Sequence, residues 1–88
     1  MSTHRQRFIN STNQTMVIWL EPWGGGYELR PGSQLLLVYD AADAGTTESL
    51  TVDTAKRDSE IWTSVWVDAA EDYPEVSLDG APRKSDRS

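Results

Sequence analysis

The chain has 88 residues with 14 acidic and eight basic side chains, one histidine and no cysteine, and its net charge at pH 7 is −6. This length predicts one domain, and the lack of cysteine excludes disulfides and thiolate zinc sites. Residues 21–79 hold thirteen carboxylates and three basic side chains, a net charge of −10, so the body of the protein should repel nucleic-acid phosphates and anionic membranes.

The first ten residues, MSTHRQRFIN, carry charge but lack the apolar segment of a secretory signal. The longest apolar run, Leu35–Tyr39, is too short to cross a bilayer. Because chains without disulfides suit a reducing compartment, we expect a soluble cytoplasmic protein. His4, the only histidine, lies in a segment that we expect to be frayed.

Apolar segments predict the first two strands. Arg5–Asn10 is the first, and the residues that follow it, Ser11–Gln14, are of types that hydrogen-bond their own backbone in turns. Thr15–Glu21 (TMVIWLE) is the clearest strand in the chain. Its apolar residues occupy both faces, which predicts a central strand or one with a half-exposed aromatic face.

Two turns rich in glycine and proline bound the third strand. Pro22 and Gly24–Gly26 are predicted as a hairpin turn after the second strand. Tyr27–Arg30 is a short third strand. The pair Pro31-Gly32 suits the central positions of a type II turn, because proline sets φ and glycine accepts a positive φ.

The middle of the chain continues with two strands and a loop. Ser33–Asp40 (SQLLLVYD) is apolar on both faces, and Ala41–Thr47 is predicted as a loop. Glu48–Thr54 should be a strand with Leu50 and Val52 directed inward.

The last strands complete an all-β pattern. Lys56–Ser59 is a charged hairpin tip, Glu60–Asp68 is a strand with its tryptophans on one face, and Glu75–Leu78 is a short final strand. We expect one β domain over residues 1–79, and a disordered tail over residues 80–88, where Ala81 is the only aliphatic side chain. About seven short strands indicate a single antiparallel β-sandwich or a small, partly open barrel.

Several of these segments resemble a group of small bacterial proteins. The shared elements are N-x-T at residues 10–12, L-E-P-W-G at 20–24, Y-x-L-x-P-G at 27–32, V-W at 65–66 and Y-P at 73–74. They are turn and core residues, and they span nearly the whole chain apart from its ends. This resemblance implies a β fold and transfers no functional residue.

Residues 8–33 are also similar to the β domain of the von Hippel-Lindau protein, which likewise runs through an asparagine, a strand with Trp-Leu, a turn and Pro-Gly. That domain is a protein-binding sandwich. The likeness implies a related topology, but a shared fold does not transfer a function.

Four tryptophans in 88 residues require an explanation. Trp62 and Trp66 should lie on one face of a strand, either as a platform that stacks a sugar, a peptide or a base, or as the cover of one side of a small core. Trp19 should face the same layer. Trp23 lies in the glycine-rich turn, where it is either a lid on the end of the fold or an exposed contact.

The sequence lacks the combinations of side chains on which enzymatic catalysis usually depends. A serine nucleophile has no base, because the one histidine lies near the N-terminus. A transition-metal site would consist of carboxylates alone. Gly24–Gly26 is followed by neither the helix nor the lysine of a phosphate-binding loop. We therefore expect no enzymatic activity, no cofactor and no metal.

We expect instead a small non-catalytic domain that binds another protein, or a second copy of itself through an edge strand. Direct binding to nucleic acid or to a membrane is not expected. Two alternatives stay open: a small-ligand or carbohydrate-binding module that uses its tryptophan face, and an acidic inhibitor that mimics nucleic acid. The predicted contact residues are Trp23, Tyr27, Trp62 and Trp66.

Overall fold

Eight strands form two four-stranded sheets in the computed structural model of the protein, which describes residues 2–41, 50–67, 70 and 72–87. The first sheet has the strand order β1-β4-β7-β8, and the second has the order β3-β2-β6-β5. The all-β class is confirmed, and the two separate sheets make the fold a sandwich. The strands are β1 (Ser2–Ile9), β2 (Thr15–Glu21), β3 (Gly25–Leu29), β4 (Gln34–Ala41), β5 (Thr51–Arg57), β6 (Glu60–Trp66), β7 (Glu75–Leu78) and β8 (Ala81–Pro82).

One strand pair departs from the predicted antiparallel arrangement. β2 and β6 run parallel, in a register that sets Thr15 beside Glu60 and Glu21 beside Trp66. The other strand pairs of the described residues are antiparallel. Side chains alternate with a period of two in both kinds of pair, so alternation carries no information about strand direction.

The core lies between the two sheets and is built from alternate residues of the central strands. β2 is central in the second sheet and buries Ile18 and Leu20, while β4 is central in the first and buries Leu35 and Leu37. Full burial of one such side chain stabilises the fold by about 1.5–3 kcal/mol. The buried core cluster comprises Ile18, Leu20, Tyr27, Leu29, Leu35, Leu37, Tyr39, Val65, Val67 and Val76.

Asn10 is a fully buried polar residue that joins the loop after β1 to the end of β3. Its Nδ2 donates to the carbonyls of Gln14 and Leu29, at 2.8 and 2.9 Å. Its Oδ1 accepts from the amide and the hydroxyl of Thr12, at 3.0 and 2.6 Å. The side chain therefore satisfies backbone groups of two segments that the sequence keeps far apart.

The turn between β3 and β4 is of the predicted type. The Ser33 amide donates to the Arg30 carbonyl at 2.9 Å, and Gly32 has a φ of 85°. Proline cannot adopt a positive φ at the preceding position, so the turn is type II rather than its mirror-image forms.

β5 differs from its prediction. It spans Thr51–Arg57 rather than Glu48–Thr54, and each of its residues is exposed. Val52, predicted to point inward, keeps 47% of its surface exposed. Its neighbour in β6 is the buried Val65, so Val52 is on the inner face, but among the described residues it lies outside the buried core cluster. The predicted loop Ala41–Thr47 lies outside the described residues except for Ala41, which ends β4.

Both ends of the chain are more ordered than the sequence predicted. β1 begins at Ser2, and His4 stacks on the ring of Tyr39 with centroids 5.5 Å apart. Residues 80–87, predicted as a disordered tail, include β8 and a bridge between Arg87 and Gly26. Backbone hydrogen bonds and ion pairs hold this segment, so its lack of aliphatic side chains does not leave it unanchored. Across the described ranges, no helix is long and apolar enough to cross a membrane.

Replacing Asn10 with alanine should destabilise the fold strongly. Asn10→Ala removes the donor to the buried Leu29 carbonyl and one of the two donors to the Gln14 carbonyl, which costs about 2–3 kcal/mol in the free energy of unfolding. Urea unfolding followed by tryptophan fluorescence measures this loss. Asn13→Ala, at an exposed position of the same loop, is the matched control and should change stability by less than about 0.5 kcal/mol. Equal urea midpoints for the two variants would show that Asn10 is not a structural link.

Candidate functional site

The four predicted contact residues lie in two separate places. Trp23 and Tyr27 belong to the turn after β2 and to β3, whereas Trp62 and Trp66 lie on the outer face of the second sheet. The first place is an open depression of about 570 Å³, which we name the aromatic groove. The second, which we name the tryptophan face, consists of Trp19, Trp62 and Trp66. The aromatic groove is lined by residues that include Trp23, Tyr27, Tyr73, Pro74, Arg83 and Lys84.

A tight turn holds Trp23 half-buried at the groove. Gly24 has a φ of 84°, and its amide donates to the Leu20 carbonyl at 2.7 Å, so the chain reverses directly after β2. The indole of Trp23 meets Tyr73 edge to face, with centroids 5.3 Å apart and planes at 61°. Tyr73 keeps 41% of its surface exposed, so the two rings form a wall with accessible apolar surface.

Tyr27 forms the floor of the aromatic groove. Only 2% of its surface is exposed, and its hydroxyl shares a hydrogen bond of 2.7 Å with the Tyr73 hydroxyl. Burial, reinforced by this hydrogen bond, raises the pKa of the Tyr27 phenol. A Cβ at Gly25 would overlap the Tyr73 hydroxyl. Tyr27 therefore offers a partner little surface of its own and acts by positioning Tyr73.

The opposite wall of the groove is cationic. Arg83 and Lys84 follow β8, and the Arg83 amide donates to the Val76 carbonyl at 2.9 Å, which holds this segment against β7. The Arg83 guanidinium forms an ion pair with Asp86. Because Arg83 is paired with Asp86, Lys84 carries the net positive charge of this wall, in a chain whose net charge is −6.

The tail ends on the edge of β3. Arg87 and Gly26 exchange backbone hydrogen bonds of 2.9 and 3.0 Å, and the Asp86 carboxylate accepts from the Glu28 amide at 3.0 Å. Burial alone would raise the pKa of Asp86, but the hydrogen bonds from Glu28 and Arg83 outweigh it and hold that pKa below its usual value. The chain thereby crosses from the first sheet to the second.

Gly26 has a packing role on the tryptophan face. A Cβ at this position would come within 2.7 Å of the Trp19 ring, so the indole occupies the space above the glycine. Of the three glycines predicted as one turn, only Gly24 lies in the turn, while Gly25 and Gly26 begin β3. Trp19 then meets Trp62 at a centroid distance of 5.9 Å, with the planes tilted by 32°.

Two guanidinium groups lie close to the Trp62 ring. Arg57 and Arg87 stand 4.8 and 5.6 Å from its centroid. Arg87 also binds Glu28 at 3.1 Å and Glu60 at 2.7 Å, and its hydrogen bonds lower the pKa of Glu60. Trp62 is thus partly occupied by cation–π contacts. Trp66 is more accessible, with 43% of its surface exposed.

Sequence reasoning missed several residues of these two places. Tyr73 was visible only as part of a Tyr-Pro pattern, and Arg83, Lys84 and Arg87 only as charge in an expected disordered tail. Their roles depend on where the tail ends, for which no local pattern gives a signal.

Comparison with known proteins adds no relative: no family model, no curated protein and no solved structure matches the chain. The two likenesses noted in the sequence therefore stay predictions. In the described parts of the chain, no three histidine, aspartate or glutamate side chains are grouped so that they could hold a metal ion.

Replacing Asp86 with asparagine should loosen the tail at neutral pH. A carboxyl whose pKa is lowered by folding stabilises the folded state fully above its unfolded pKa, about 4, and this stabilisation is lost as the pH falls through the folded pKa. We expect Asp86→Asn to have a lower Tm than wild type at pH 7, and the difference to close toward about pH 2. Thermal unfolding followed by circular dichroism measures both values.

Asp58→Asn, in the exposed turn between β5 and β6, is the matched control for this experiment and should unfold like wild type at both pH values. An unchanged Tm for Asp86→Asn at pH 7 would show that the docked tail does not stabilise the fold.

Proposed function

We propose that the protein is a non-catalytic binding domain that receives a segment of another protein in the aromatic groove. The observation that carries this proposal is the combination of Trp23 and the exposed Tyr73 with a cationic wall in an otherwise acidic protein. Aromatic and arginine side chains are enriched in protein interfaces and supply much of their binding energy.

The chemistry of the lining favours binding over catalysis. Among the described residues, those that line the groove carry phenols, an indole, a hydroxyl and two cations, and none of them is a carboxylate, an imidazole or a thiol. The raised pKa of Tyr27 keeps its phenol protonated at neutral pH, so it does not serve as a base there. His4 lies in β1 and stacks on Tyr39. General acid–base chemistry would need a better proton acceptor in the groove.

The groove also indicates what its partner offers. Trp23 and Tyr73 present apolar ring surface, which suits an aliphatic, proline or aromatic side chain of an extended segment. Lys84, on the other wall, suits a carboxylate of the same segment. We place this binding in the cytoplasm, on the basis of the cysteine-free composition.

The two alternative functions receive less support. A sugar-binding platform would use Trp62 and Trp66, but Arg57 and Arg87 already lie close to the Trp62 ring. A mimic of nucleic acid would present free carboxylates, whereas Glu28 and Glu60 are paired with Arg87.

Affinity capture from a native lysate, read by mass spectrometry, tests the proposed function. Wild type should retain a specific protein that Trp23→Ala loses, because the variant removes one wall of the groove. Trp66→Ala removes an exposed tryptophan elsewhere and is the matched control, which should retain the protein. Circular dichroism verifies that both variants are folded. Loss in Trp66→Ala but not in Trp23→Ala would contradict the proposal, as would the absence of any specific protein.

With the captured partner purified, Lys84→Glu should weaken its binding about fivefold at low salt, and added salt should reduce the difference. Calorimetric titration measures both effects. If Lys84→Glu leaves the affinity unchanged, the cationic wall does not contribute to partner binding.

A further inference from the structure

β5 is an edge strand of the second sheet. Among the described residues, the backbone of Val52–Arg57 pairs with β6 alone, and the side chains of these residues are exposed. Such an edge is a template for another strand.

The other edges of the two sheets are less suited to receive a strand. β8 has two residues, one of them Pro82, and β3 is occupied at Gly26 by the tail. β1 is long, but it carries Arg5 and Arg7 on one face. Antiparallel pairing of β1 with its own copy about Arg5, Gln6 or Arg7 would set arginine opposite arginine, which is destabilising.

The sequence of β5, TVDTAKR, is complementary in charge to itself. Odd-numbered residues share the outer face, where Asp53 lies beside Ser64 and Arg57 beside Glu60. When two copies pair antiparallel about Ala55, Asp53 of each copy lies opposite Arg57 of the other. The symmetry therefore creates this pair of opposite charges twice.

Neighbouring registers are less favourable. A two-fold axis through Asp53 would place the Asp53 carboxylates of the two copies opposite each other. A two-fold axis through Lys56 would do the same with the two Lys56 ammonium groups. An axis through Thr54 leaves Asp53 opposite Ala55 and only diagonal to Arg57. Among these antiparallel registers, charge thus selects the one centred on Ala55, as opposite-charge cross-strand pairs do in other sheets.

We propose that two copies of this chain associate through β5 into one continuous eight-stranded sheet, with Asp53 of each copy paired with Arg57 of the other. This goes beyond the proposed function and does not depend on it. β5 and β3 are opposite edges of the second sheet, so both aromatic grooves stay open in the dimer. Bivalence, unlike the dimer itself, rests on the proposed function: with a partner in each aromatic groove, the dimer binds with increased avidity.

Charge exchange tests this dimer directly. Analytical ultracentrifugation should show a concentration-dependent dimer for wild type. Asp53→Arg and Arg57→Asp should each raise the dimer Kd by at least about tenfold, because each sets like charges opposite one another. An equimolar mixture of the two variants should form a heterodimer, visible by native mass spectrometry, and the double variant should dimerise like wild type.

Asp72→Arg carries the same change in net charge as Asp53→Arg at an exposed position outside β5, and it should dimerise like wild type. The variant positions are exposed, and circular dichroism verifies that the variants are folded. A wild-type protein that is monomeric up to about 1 mM, the limit of weak association, would overturn the proposal. Single variants that dimerise normally, or that fail to form the heterodimer on mixing, would overturn it as well.

Discussion

The candidate binding surface depends on the two backbone hydrogen bonds between Arg87 and Gly26. They close the edge of β3 and carry the chain from the first sheet to the second. The crossing segment contains Arg83 and Lys84, so the cationic wall of the aromatic groove forms where the tail docks. Gly26 permits this docking, because a Cβ there would meet both the Trp19 ring and the Arg87 side chain.

The docked tail also gives the aromatic groove and the tryptophan face different surroundings, although both contain aromatic side chains. Arg87 lies over Trp62 and forms ion pairs with both Glu28 and Glu60, so these polar groups have partners within the chain. The groove keeps the exposed ring of Tyr73 and positive charge together. Accessible aromatic surface supplies interface anchors, and charge complementarity adds specificity; in the groove Tyr73 offers the first and Lys84 the second.

The sequence predicted the strands that are central in the sheets more closely than those at the edges. β2 was predicted residue for residue at Thr15–Glu21, and β7 at Glu75–Leu78, because burial requires apolar side chains in these strands and the polar residues on either side mark their ends. β5 was displaced by three residues, since exposed faces impose no pattern. The parallel β2–β6 pair and the docking of Arg87 depend on backbone hydrogen bonds between distant segments, which side-chain patterns do not encode. Residue type alone indicates the four contact residues. The strand register then shows that two of them lie at the aromatic groove and two on the tryptophan face.

The groove and β5 lie at opposite edges of the second sheet, so partner binding and self-association use different surfaces of one small sandwich. The four indole N–H groups report on these surfaces separately in a nitrogen-15 NMR titration with the captured partner segment. Binding in the aromatic groove predicts that the Trp23 indole resonance shifts while those of Trp19, Trp62 and Trp66 stay in place. A shift of the Trp66 resonance with Trp23 unchanged would contradict this account.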